Sequence, residues 1–253
     1  MKIAVHSFKG GTGKSNIVAN LSVALASRGQ SVGVFDLDLV APGLHLIYGL
    51  RDEAMKFKFN NYLRNECSIE DMIIDLSKEM KVKKLLFVAA SLDAQEIMSL
   101  FKRGYEVVQF NKAANDVANH YNLDWILVDT HPGLMEATLL ALASCDEILT
   151  VMRDDTQHYT GTMITLEVTG ALHKPTSVIL NFAQSGLPES KVRSNLQNAF
   201  KTPVLAVMPF DEELMTSASK GGIFIQDHPY SPFTKRINEL ADHLMAKKES
   251  MER

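Results

Sequence analysis

The sequence predicts an α/β fold: one domain with a mostly parallel central sheet and helices on both faces. Three observations predict it. Short apolar, β-branched runs alternate along the chain with longer stretches of helical spacing. Most of those runs are apolar throughout instead of alternating, as strands covered on both sides are. The helical stretches between them are long enough to cross from one parallel strand to the next.

The first strand is expected at residues 2–5, where Ile3-Ala4-Val5 leads into a glycine-rich turn. A helix follows over 14–28, with Gly29 placed as the left-handed residue beyond its end. The second strand spans 31–35. Residues 51–84 then break the alternation, being polar and irregular with two short helical pieces, so they read as an excursion between the second and third strands. One piece, over 69–76, is opened by Ser68 and Asp71 as a capping pair. The third strand, 85–89, precedes helices over 91–100 and 106–120. Trp125-Ile126-Leu127-Val128 is the fourth strand, followed by a helix over 136–144. The fifth strand is at 147–152 with a helix over 157–173, and the sixth at 176–180 with a helix over 190–200. A seventh strand, 204–207, and a last helix near 233–247 complete the pattern, and residues 246–253 read as a polar tail. No composition shift or repeat divides residues 1–253 into more than one domain.

The 253 residues are 46% hydrophobic and 22% charged, an ordinary globular composition that excludes disordered and collagen-like chains. Twenty-six basic and thirty acidic residues give a formal charge of −4, against a surface globally dedicated to nucleic acid or anionic lipid. Cys67 and Cys145 are too few for a disulfide scaffold and lack the C-x-x-C spacing of a metal site. With no signal peptide and no run of ~18 apolar residues, a cytoplasmic protein is expected.

Function enters at the first turn. The first strand runs into Lys9-Gly10-Gly11-Thr12-Gly13-Lys14-Ser15 and then a helix, the strand–loop–helix context of a phosphate-binding loop. Three glycines let the backbone curl around a polyphosphate, so that successive N–H groups and the helix N-terminus face the anion. Lys14 is then placed to neutralise β/γ-phosphates, and the Ser15 hydroxyl to ligate Mg²⁺. The position of the first glycine in the usual motif, five before Gly13, holds Phe8. The second strand ends in Asp36-Leu37-Asp38 and the fourth in Asp129-Thr130-His131-Pro132-Gly133, carboxylates where strand ends enter the ligand crevice. Ionised groups there need a partner, and a Mg²⁺–nucleotide complex supplies one.

The K-G-G-x-G-K-[ST] loop resembles that of the MinD/ParA family of deviant Walker A P-loop ATPases, in the SIMIBI class, and the likeness in order and spacing runs from Met1 to about Met245. The resemblance implies a single-domain P-loop fold. It implies that Lys9 reaches a partner subunit's nucleotide, and that Asp36 supports metal and loop. Asp38 is implied to orient the attacking water, and Asp129 to hold a metal-bound water. It places Gly10, Gly11, Thr12, Gly13, Lys14, Ser15 and Asn16 on the nucleotide. Asn181 and Pro209-Phe210 are placed at the base, with Phe182 where the family often has Arg or Lys. Asn181-Phe182-Ala183-Gln184 is not the N/T-K-x-D element of a guanine site, which favours ATP. His131 occupies a variable place and is read as structural or weakly regulatory.

What the resemblance implies for function is a slow ATP- and Mg²⁺-dependent switch. It dimerises with ATP, positions or partitions a cargo and is stimulated by a protein partner. The alternatives are an iron–sulfur carrier or nitrogenase-reductase-like ATPase, a dethiobiotin-synthetase-like enzyme, and a nucleotide-binding scaffold. Neither a membrane nor a DNA platform is indicated: the terminus has too little apolar surface to insert, and Lys78, Lys81, Lys83 and Lys84 read as a solvated face.

Overall fold

The computed structural model describes residues 1–38, 41–91, 107–184 and 188–253. Beyond Ser91, the helix expected over 91–100 lies outside the described residues, as does the first residue of the one over 106–120. Leu39 and Val40 lie outside them as well.

β1 (Lys2–His6) leads through the glycine loop to α1 (Lys14–Ser27), and β2 (Ser31–Leu37) follows. The excursion holds α2 (Leu44–Ile47), a 3₁₀ turn at Asp52–Ala54, α3 (Phe59–Leu63), α4 (Ile69–Met72) and a short strand, β3 (Ile73–Asp75). Next come β4 (Lys84–Val88), α5 (Val107–Tyr121), β5 (Trp125–Thr130), α6 (Glu136–Ala143) and β6 (Glu147–Met152). The last part comprises α7 (Thr156–Ala171), β7 (Thr176–Ala183), α8 (Glu189–Phe200) and β8 (Val204–Pro209), then α9 (Glu212–Lys220), α10 (Phe224–Asp227) and α11 (Pro232–Glu252).

Among the described residues eight strands form one sheet, in the order β3-β4-β2-β5-β1-β6-β7-β8. All neighbours are parallel except β3 and β4. Alternate residues of the inner strands enter different cores, which is why the strands are apolar throughout. Ile3 and Val5, Val32 and Val34, and Trp125 and Leu127 join α1 and α11 on one face. Ala4, Phe35, Ile126 and Val128 join Phe110, Ala114 and Val117 of α5 on the other. β1 sits between β5 and β6, with β2–β5 on one side of it and β6–β8 on the other, so the strand order reverses direction there. A crevice opens at such a switch point, at the carboxyl ends of the strands.

Two expectations are corrected, and one helix is added. The helix predicted over 69–76 stops after Met72, because Ile73 and Ile74 are β-branched and pair with Val88 and Phe87 as the antiparallel edge strand. Ser68 and Asp71 do form the reciprocal capping box. Residues 246–253 are not a tail: α11 continues to Glu252. Lys247 reaches the buried Glu147 at 2.7 Å and Lys248 lies over the Trp125 ring, 5.3 Å from its centroid. α9, capped by the Asp211 side chain on Glu213 and Leu214, was not anticipated. Gly29 follows α1 at φ 79°, as expected.

Candidate functional site

The loop between β1 and α1 is shaped by two left-handed glycines, Gly11 at φ 77° and Gly13 at φ 78°. Gly13 is also the N-cap of α1, and no side chain caps the first amides of that helix, which leaves its dipole and N–H groups for an anion. Glycine is required there twice over, since a Cβ would stand 2.4 Å from Asn181 Nδ2 and 3.1 Å from Phe182 Cζ. Asn181 holds the loop from β7: its Nδ2 donates to the Thr12 carbonyl at 2.7 Å, while its buried Oδ1 has no partner.

Lys14 and Ser15 open α1, with Asn16 beside them in its first turn. The Lys14 ammonium is buried and makes an ion pair with Asp129 Oδ1. Asp129 stands opposite Asp36 in the β2–β5 register, and both share the side-chain parity of the residues facing α1. Asp36 accepts from the Asp38 amide at 3.0 Å and the Leu44 amide at 3.3 Å. Burial, and then the charge of Asp129, raise the Asp36 carboxyl to about 8. Burial also raises Asp129, against the lowering pull of Lys14 and of a hydrogen bond from Ser15.

Two buried carboxyl groups thus lie in the field of one buried cation, which pairs directly with Asp129, and Asp129 Oδ2 has no partner. This donor set fits a hard divalent cation such as Mg²⁺, which takes oxygen ligands and retains water. Among the described residues no cluster of three or more His, Cys, Asp or Glu side chains forms a metal site, so phosphate and water oxygens would complete its shell.

Asp38 lies at the turn after β2, where its Oδ1 accepts from the Ala41 amide at 3.1 Å. His131, at the end of β5, donates from Nδ1 to the same oxygen at 2.7 Å. The sequence reads His131 only as structural or weakly regulatory, and nothing local to it shows that it meets Asp38. His6 is fully buried just before the loop. The Thr130 hydroxyl donates to the Val5 carbonyl, so it accepts from His6 Nδ1–H at 2.9 Å, leaving Nε2 buried without a partner. Burial first, with Lys14 and His131 adding to it, drives His6 down to about 3 and keeps it neutral.

Lys9 lies at the surface, hydrogen bonded to Gln157 in the first turn of α7. Phe8, in the place of the usual first glycine, lays its ring on α7 at Gly161, where an added Cβ would come within 2.3 Å of it. Gly10 lies near Pro132, and the Gly133 amide donates to the Ser7 carbonyl at 3.0 Å. The loop is therefore braced from α7, β5 and β7 together. Next to it is a cavity of about 940 Å³ whose lining includes Arg153, Phe182, Pro209, Phe210, Tyr230 and Lys235. Of the residues expected at the base, Pro209 and Phe210 line this cavity, and Asn181 lies beneath the loop.

Residues 3–224 match the family model of the CobQ/CobB/MinD/ParA nucleotide binding domain. An uncharacterised ATP-binding protein of Methanocaldococcus jannaschii is 28% identical over 247 residues, 97% of this chain and 88% of that protein. An iron–sulfur cluster carrier protein of Helicobacter pylori is 26% identical over 261 aligned positions, covering 96% of this chain and 66% of its own length. The solved structure of the septum site-determining protein MinD of Pyrococcus horikoshii, complexed with Mg-ADP, is similar at a TM-score of 0.81. That match is 24% identical in sequence and covers 96% of this chain and 95% of that one. The chain belongs to the CobQ/CobB/MinD/ParA family of nucleotide-binding domains, and its fold is that of MinD.

Proposed function

We propose that the chain binds Mg-ATP at residues 9–15, hydrolyses it slowly and pairs with a second copy while the triphosphate is present. It would act as a cytoplasmic MinD/ParA-like switch that positions or partitions a cargo, with a further protein stimulating hydrolysis. The observation that carries this reading is the meeting of two features: the uncapped start of α1 with Lys14 and Ser15, and the register-matched carboxylates Asp36 and Asp129.

In this reading Lys14 exchanges Asp129 for the β/γ-phosphates, which the amides of Gly10, Gly11, Thr12 and Gly13 also meet. Ser15, Asp36 and Asp129 would hold Mg²⁺ and its water, and the metal's positive charge would offset charge developing on the phosphoryl oxygens. Asn16, Asn181, Pro209 and Phe210 serve the nucleoside side. Asp38, aimed by the Ala41 amide and His131, accepts a hydrogen bond from the attacking water. Lys9 releases Gln157 and reaches the nucleotide of the second copy. Catalysis is then positioning and charge neutralisation, with little covalent chemistry asked of the protein.

Light scattering on the Asp38→Ala variant tests this. A dimer with Mg-ATP, a monomer with Mg-ADP, and loss of the dimer in Lys9→Ala/Asp38→Ala are expected. An unchanged monomer with both nucleotides rejects the switch.

The likeness to an iron–sulfur cluster carrier favours a second reading, in which the same ATPase carries a cluster. The cysteines weigh against it. Cys145 is buried just before β6, at the amino-terminal end of that strand and so at the opposite end of the sheet from the loop, and burial pushes its thiol up to about 12. Among the described residues no helix is long and apolar enough to cross a membrane. Lys83 and Lys84 are engaged with the Gly29 and Tyr121 carbonyls at 2.9 Å, which weighs against a lysine platform for nucleic acid.

A further inference from the structure

We propose that Phe182 is the base-stacking residue of this site, with Arg153 as the residue that positions its ring. This rests on the nucleotide reading above and assigns a base contact that the loop alone does not identify.

Three observations converge on Phe182. It holds φ +56° within β7, whereas the other left-handed residues that are not glycine, Asn65, Lys81, Asn122, His173 and Lys201, stand in turns or at helix ends. An aromatic residue is strained in that conformation, and such strain persists where surrounding structure enforces it, often at ligand sites. Here β7 and β8 lose register between Leu180 and Ala183, and the Phe210 amide donates to the Ala183 carbonyl at 3.1 Å, fastening the distortion.

The second observation is what the distortion achieves. Asn181 is 1% exposed and its amide nitrogen is committed to the Thr12 carbonyl. Phe182 instead lines the 940 Å³ cavity while its ring edge lies against Gly13. The ring therefore spans from the phosphate loop to the cavity, as a group stacking on the base of a loop-bound nucleotide must. The third is its company. Phe210, 54% exposed, stands at a centroid distance of 6.2 Å and an angle of 63°, so two rings line one cleft. The Arg153 guanidinium, from the end of β6, lies 5.4 Å from the Phe182 centroid, a cation–π contact that steadies the ring. Stacking of this kind accepts any base but rewards the larger purine surface.

The test measures binding of Mg-ATP, Mg-UTP and Mg-tripolyphosphate to the parent, Phe182→Gly, Phe182→Tyr and Arg153→Ala. Phe182→Gly is expected to weaken ATP about tenfold, leave tripolyphosphate unchanged and narrow the preference for ATP over UTP. Because glycine relieves the left-handed strain, it should melt no lower than the parent. Phe182→Tyr should restore ATP binding, and Arg153→Ala should weaken ATP about threefold without touching tripolyphosphate. Equal losses for ATP and tripolyphosphate, or none for either, overturn the stacking role while leaving the nucleotide site intact. A parent that binds neither ATP nor tripolyphosphate overturns both readings.

Discussion

His131 Nδ1 lies 2.7 Å from Asp38 Oδ1, tying the end of β5 to the turn after β2. Only a protonated Nδ1 can donate to a carboxylate, so the contact sets the imidazole tautomer as well as the carboxylate's direction. Asp38 is thereby held by two donors, His131 and the Ala41 amide.

Removing one donor should misdirect Asp38 without disturbing the phosphate loop. His131→Ala is expected to lower kcat for ATP about 10–100-fold with KM and ATP affinity nearly unchanged. His131→Asn, which keeps a donor at similar reach, should recover most of the loss. Steady-state kinetics on both variants decide it: a pure KM effect, or equal losses in the two, rejects the positioning role.

Lys14 is the buried cation that pairs with Asp129 and whose field reaches Asp36. Lys14→Met should destabilise the nucleotide-free protein by about 3–5 kcal/mol, the usual cost of breaking a buried pair from one side. The loss should be smaller at pH 5 than at pH 8, because the stranded carboxylates can take up protons. Urea unfolding at the two pH values reads this directly, and a loss below about 1 kcal/mol, typical of an exposed pair, contradicts it.

Phe8 packs where Gly161 has no side chain. Gly161→Ala places a methyl group into that ring and should cost about 1–3 kcal/mol by overpacking, despite alanine's better helix propensity. The displaced Phe8 would shift Lys9 beside it, so ATP-dependent pairing should weaken too. A thermal melt at or above that of the parent shows the contact to be unimportant.

His6 is neutral in the folded protein, with its pKa driven from 6.5 to about 3. Between those values the unfolded chain binds a proton that the folded one refuses. Its contribution to stability is therefore present above pH 6.5 and lost as pH falls toward 3. Linkage puts the loss between pH 7 and pH 5 at about 2 kcal/mol. His6→Asn, lower in stability at pH 7 for its altered contact with Thr130, should show an acid limb shallower by about that amount. Matching slopes for variant and parent would contradict a buried neutral His6.

Much of the site was legible in consecutive residues. The seven predicted strands are all present, because each is an apolar run buried on both faces, and such runs need no knowledge of their neighbours. The loop before α1 was legible for the same reason: glycine spacing, the strand before and the helix after are local properties of the backbone. β3 was not, since three residues following a capped turn become a strand only because β4 offers an open edge.

The side chains that complete the site follow another rule. Asn181 reaches Thr12 across 169 positions, and His131 reaches Asp38 across 93. Phe182 turns left-handed inside a strand whose own residues give no reason for it. Backbone preferences act over a few residues and can be read along the chain, whereas strand order and register act between distant segments. It is that order, with β1 between β5 and β6 and Asp36 opposite Asp129, that brings single residues of unremarkable local context to one crevice.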